Sequence, residues 1–241
     1  MTTAAPIHLH PTAELAQRVL LPGDPGRALA LAQILLEKPL MFNHHRGLWG
    51  YTGRATDGEL LTIQSTGMGG PSAAIVLHEL IALGARRAIR VGTCGALIGG
   101  LELGDVLIAR EAIVADGTSR ALGAGARVAA DRELTAALER AAPSTGATVV
   151  STDLFYEPNR TQTRERDWRA TGAAAVEMEA ATLFALGAHL GIPVACVLTV
   201  SDLLPDDERA SAPPSRTHID DEALLAAAER MGRLALDALT V

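Results

Sequence analysis

Apolar and polar positions along the chain change period repeatedly, from the alternation of strands to the stripe spacing of helices. Val19–Leu21 is a short apolar run that reads as a buried strand. The turn Leu21-Pro-Gly-Asp-Pro-Gly-Arg27 follows, with Asp24 as a helix cap and Pro25 at the first helical position. Leu29, Ile34 and Leu35 then carry an apolar stripe to about Leu36. Strand-like runs around 39–45, 48–56 and 59–65 are separated by Gly47 and by the hairpin pair Asp57-Gly58. Ser65-Thr-Gly-Met-Gly-Gly-Pro71-Ser72 opens a helix that reaches about Leu83. Strands are expected over 87–92 and 105–114, a helix near 131–142, a strand over 147–151 and a helical segment over 160–170. Ala173–Val176 is extended, a helix starts at about Glu179, Pro193–Val200 is a very apolar strand, and a long helix begins at Asp220.

Strands that alternate with helices imply an α/β fold whose mixed sheet is covered on both faces. Neither a repeat nor a compositional break divides residues 1–241, so a single domain is expected. Leu204 to Pro214, rich in Pro, Asp and Ala, reads as a mobile loop beside a site.

Composition narrows the function classes. The 241 residues are 48% hydrophobic, enough for one sizeable core, and no apolar run has the length of a membrane span. The first ten residues lack the basic and apolar regions of a signal peptide. Cys94 and Cys196 are too few for a disulfide framework and read as reduced thiols of a cytoplasmic protein. A net charge of −7 argues against general nucleic-acid binding. Because Lys38 is the only lysine, an arginine counts as functional only in a specific neighbourhood. His44-His45 has no partner at metal-ligand spacing, and no Gly-x-Ser-x-Gly elbow is present, so neither a metal site nor a serine hydrolase is expected.

Four segments carry candidate chemistry. Arg90 lies on the apolar run Ala88–Val91, just before Gly92-Thr-Cys-Gly95. A guanidinium there needs an anion, either a ligand or an internal carboxylate. Gly23 to Arg27 offers helix N–H groups and an arginine to an anion, or is simply a capped helix with a surface arginine. In Val176-Glu177-Met178-Glu179, a carboxylate could accept both hydroxyls of a ribose diol, or serve the first turn of a helix. Asp202 follows Ser201 at the end of a buried strand, a position that suits either a general acid or an N-cap.

Together these segments resemble the nucleoside phosphorylase superfamily, in the branch of bacterial hexameric purine nucleoside phosphorylases and uridine phosphorylases. Ser65 to Leu80 looks like the family signature. Pro22-Gly-Asp-Pro-Gly-Arg27, His45 to Gly53, Arg90 to Ala96, Glu177-Met-Glu-Ala180 and Val200-Ser-Asp202 fall around it in the family's order. The resemblance implies a distorted, barrel-like central sheet flanked by helices, and phosphorolysis of a nucleoside to free base and ribose 1-phosphate. By similarity, Gly23, Arg27, Arg90 and Thr93 hold phosphate, with Arg46 reaching in from a neighbouring subunit. Glu179 and Met178 take the ribose, and His8 (or His10) of a neighbour takes the 5′-hydroxyl. Phe155, Cys94, Gly95, Val176, Glu177 and Ser201 surround the base, while Asp202 and Arg216 act at it, Asp202 by protonating purine N7.

The resemblance further implies inorganic phosphate as co-substrate with no other cofactor and no metal, a nucleoside and phosphate as the only small-molecule partners, and a homohexamer built as a trimer of dimers. Asp202, an aspartate that uridine phosphorylases lack, favours purine nucleosides over uridine, and the uracil-reading Gln-x-Arg spelling occurs here as Gln162-Thr-Arg164, about one helical turn late. Arg27, Arg46 and Arg90 argue against the hydrolytic nucleosidases of the superfamily, and retention of Asp202 and Glu179 against its non-catalytic binding proteins.

Overall fold

The computed structural model describes residues 6–142, 146–156, 162–203 and 217–240. Its strands form one mixed sheet. At the centre lie β5 (Arg87–Ala96), β6 (Val106–Ala115), β8 (Gly146–Thr152), β9 (Ala175–Glu177) and β10 (Val194–Leu203). They pair in the order β10-β6-β8-β9-β5, and β5 pairs again with β10, which closes a small barrel. From β5 the sheet extends outward through β1 (Arg18–Leu21), β4 (Leu60–Gln64), β3 (Gly50–Ala55) and β2 (Leu36–Asn43).

Side chains alternate along the central strands, as the period of a doubly covered sheet requires. On β10, Val194, Cys196, Leu198 and Val200 enter one core, beneath α2 (Gly70–Leu83), α3 (Gly117–Ala121) and α6 (Ala180–Leu190). Ala195 and Val197 enter the other, against α1 (Pro25–Leu35), α4 (Arg132–Ala141) and α7 (Asp221–Leu239). The valines and the leucine among them each stabilise the fold by roughly 1.5–3 kcal/mol when fully buried.

Most expected elements are present, with boundary shifts. Asp24 caps α1 by accepting the Arg27 N–H at 2.7 Å, and Pro25 stands at its start. β2 begins at Leu36, directly after α1, with no loop between them. The strand expected over 87–92 continues to Ala96, because Gly92 to Ala96 pair with β10 rather than turning away. The short elements α3, β7 (Arg127–Ala129) and β11 (Thr217–His218) are too brief to leave a periodic signal. α5 (Gln162–Ala170) forms within the expected helical segment. Leu204–Pro214, the expected mobile loop, lies outside the described residues, as does Arg216.

Candidate active site

A cavity of about 430 Å³ opens where β5, β9 and β10 end, beneath the loops that lead into α1 and α2. Arg90, in the middle of β5, is a nearly fully buried charge on its wall, with its side chain 4% exposed. Its Nε donates to Glu177 at 3.1 Å and its Nη2 meets Glu179 at 2.5 Å. Burial opposes its charge, but Glu179 and Glu177 more than compensate and raise its pKa further. Arg90 is therefore paired with internal carboxylates, and it also lines the cavity. Gly92 makes room for this arrangement, since a Cβ there would stand 2.6 Å from the guanidinium carbon.

The two carboxylates at the start of α6 divide the work. Glu177, wholly buried, accepts the N–H of Glu179 and of Ala180 at 2.9 Å and a hydrogen bond from the Ser151 hydroxyl. It caps the helix and holds Arg90; burial raises its pKa, and the charge of Arg90 opposes that shift. Glu179 turns toward the cavity and accepts the Gly69 N–H at 2.5 Å. The loop that brings Gly69 there needs positive φ at Gly67 (71°) and at Gly69 itself (85°), which glycine adopts without strain.

Arg27, one step into α1, lines the same corner. Burial lowers its pKa, Asp24 pushes it back, and nearby Arg90 lowers it again. Two guanidiniums so close favour an anion between them. Gly23 completes the corner; a Cβ on it would lie 4.0 Å from Arg90 Nη1.

On the wall formed by β5 and β10, the register slips by one residue: Val200 pairs with Cys94, but Asp202 pairs with Gly95. Ser201 is the extra residue of this bulge, and the bulge re-aims Asp202. Asp202 accepts the Ser201 hydroxyl at 2.9 Å and sits over Gly95, where a Cβ would stand 3.1 Å from its Oδ1. It belongs to a strand rather than capping a helix. Cys94 lines the wall as an inert thiol, its pKa raised first by burial and then by Glu177 and Asp202.

A family model described as "Phosphorylase superfamily" matches residues 17–240. The chain belongs to this superfamily. A protein of Geobacillus kaustophilus named "Purine nucleoside phosphorylase DeoD-type" is 37% identical over 233 residues, covering 92% of this chain and 96% of its own length. Proteins of the same name from Clostridium novyi (36% identical, 85% of this chain and 90% of their protein) and Oceanobacillus iheyensis (37%, 86% and 91%) are similar over nearly the same extent.

Of the residues singled out from the sequence of this superfamily member, Gly23, Arg27, Arg90, Thr93, Cys94, Gly95 and Phe155 line the cavity. So do Val176, Glu177, Met178, Glu179, Ser201 and Asp202. His8 and Arg46 do not line it. His8 Nδ1 donates to Glu79 at 2.7 Å, and Arg46 is exposed in the turn His45–Gly47 with a left-handed φ of 58°. Sequence reasoning missed Thr152, Arg164, Glu165 and Trp168, which close the side of the cavity beneath α5. α5 is too polar for its stripe to announce an inner face, so only Gln162-Thr-Arg164 drew attention to it. Among the described residues, no group of three or more His, Cys, Asp or Glu side chains could hold a metal ion, and no helix is long and apolar enough to cross a membrane.

Proposed function

We propose that this chain cleaves purine nucleosides with inorganic phosphate, giving free base and ribose 1-phosphate. One observation carries the reading. A single cavity gathers the guanidiniums of Arg27 and Arg90, the carboxylate of Glu179 and, beyond Cys94 and Gly95 on the same wall, Asp202. The three groups match the three parts of the substrates. Arg27, Arg90, Gly23 and Thr93 hold phosphate, and Glu179, with lone pairs left beyond those used by Gly69 and Arg90, accepts the ribose hydroxyls. Met178 packs on the sugar, and Phe155, Val176 and Ser201 face the base.

As the glycosidic bond breaks, its electron pair leaves with the base, and positive charge grows on the ribose. A phosphate oxygen beneath the sugar stabilises that charge and forms the new bond to the anomeric carbon. Asp202 delivers a proton to N7, so the base leaves neutral. Such general acid catalysis contributes about 10²–10⁴-fold, or roughly 3–5 kcal/mol of barrier. Phosphate is the nucleophile and no other cofactor takes part; the raised pKa of Cys94 leaves the cavity without a thiolate competitor.

The reading extends to assembly. Arg46 and His8 lie away from this chain's own cavity and would complete that of a neighbour, as a homohexamer of three dimers allows. Arg216 would join Asp202 at the base, and the reaction would run in the cytoplasm.

The test is base release from inosine, guanosine, adenosine and uridine, each with and without phosphate. Release of a purine base only when phosphate is present is the expected result. Uracil release would transfer the assignment to a pyrimidine phosphorylase, and phosphate-independent release would make the protein a hydrolase.

A further inference from the structure

The side of the cavity under α5 has no part in the mechanism above, yet it carries an aromatic ring anchored on a buried cluster. Trp168 projects from α5 onto the cavity wall, and its indole packs against the buried cluster Leu97, Val150 and Ala173, next to Val176. The Arg164 guanidinium, one turn earlier, lies over the indole at 4.8 Å from the ring centroid. The same guanidinium reaches Thr152 Oγ1 at 3.3 Å, tying α5 to the end of β8. Phe155, the aromatic residue that the sequence points to, is 44% exposed and meets the more exposed Tyr156 edge-on.

We infer that Trp168 is a base-contacting residue of this cavity, the flat wall against which the purine ring packs, and that Arg164 is the positioning residue that holds the indole there. This deepens the purine reading above and rests on it. An indole backed by packed side chains offers a large, rigid apolar contact at little conformational cost, which suits a bicyclic base more than a pyrimidine. The guanidinium over one face restricts the ring's rotation and leaves the rest of the indole on the cavity wall. It also gives Arg164 a place at the cavity through its contacts with the indole and with Thr152.

The test uses the full-length protein, with steady-state kinetics for inosine, guanosine and uridine and tryptophan fluorescence during hypoxanthine titration. Trp168→Ala is expected to raise KM for the purine nucleosides about tenfold while KM for phosphate stays within twofold. Trp168→Phe should recover most of that loss. Arg164→Met should give a smaller rise, absent in the Trp168→Ala background because it acts through the indole. Hypoxanthine should quench the wild-type emission, and the quench should vanish in Trp168→Phe, which keeps Trp49. A quench that persists in Trp168→Phe, or a nucleoside KM unmoved in Trp168→Ala, would overturn the assignment. So would a rise in both KM values together, which marks a merely structural residue. Should Trp168→Ala not fold, the Trp168→Phe titration still decides. A wild-type protein that releases no purine with phosphate would instead defeat the proposed reaction.

Discussion

Ser201 has no partner residue on β5, and that one-residue slip places Asp202 opposite Gly95. Replacing the acid should therefore act on the chemical step alone: Asp202→Ala is expected to lower kcat for inosine by about 10²–10⁴-fold with phosphate binding retained in calorimetry. Wild-type turnover in that variant would sink the general-acid role. Gly95→Ala tests the geometry rather than the group. Its Cβ would meet Asp202 Oδ1 at 3.1 Å, so the carboxyl must shift. A drop in kcat of about tenfold or more, with thermal stability nearly unchanged, is expected from misplacing a reacting group; an unaltered kcat would show that Asp202 has slack there. Gly92 plays the same part for Arg90, by leaving the space its guanidinium fills.

At the scale of elements, one carboxylate gathers residues 7–9 ahead of β1. Glu79, on α2, accepts the backbone N–H of Ile7 at 3.0 Å, of His8 at 3.1 Å and of Leu9 at 2.8 Å, and also bonds the His8 ring. Burial alone would raise its pKa, but the His8 side chain and the three N–H groups reverse the effect and lower it. A carboxyl whose folded pKa lies below its unfolded value contributes stability that is complete above the usual carboxylate range and is lost as pH falls through the folded value. Hydrogen-exchange protection of residues 7–9, relative to β5, should thus be high at neutral pH and fall in acid below the usual glutamate range. Glu79→Gln should flatten that dependence. Equal relative protection at both pH values would mean the segment is held by something else.

For the molecule as a whole, the exposed apolar side chains bear on assembly. Ile7 (73% exposed) and Ile75 (40%) flank the Glu79 clamp, Ile75 lying one turn from it on α2, and Met68 (87%) projects from the loop before that helix. The homo-oligomer proposed above would have this face available for burial against a second copy. Ile75→Arg, outside the cavity, is expected to reduce the oligomer in analytical ultracentrifugation and to lower activity in proportion. A wild-type monomer of full activity would remove the assembly from the proposal.

Much of this architecture is written locally. The Asp24–Pro25 helix start follows from nearest neighbours, as does the alternation of β10, whereas α1 buries Ala28, Leu31, Ala32 and Leu35 rather than the expected Leu29 and Ile34. The cavity residues on these elements were legible for the same reason: glycines, arginines and carboxylates stood at element ends, where ligands meet an open sheet. Tertiary structure decided what no local pattern encodes. That Glu177 turns inward to cap α6 and hold Arg90 while Glu179 turns outward depends on where β5 and β8 lie. Gly92 and Gly95 stay in the strand because β10 runs beside them, and the bulge at Ser201 exists only in that pairing. Trp168 reaches the cavity because a packed cluster under α5 receives its ring. The sequence by itself determined the elements and the chemical groups, since propensity and capping act over a few residues. Their convergence on one cavity belongs to the closed barrel, in which strands distant in sequence become neighbours.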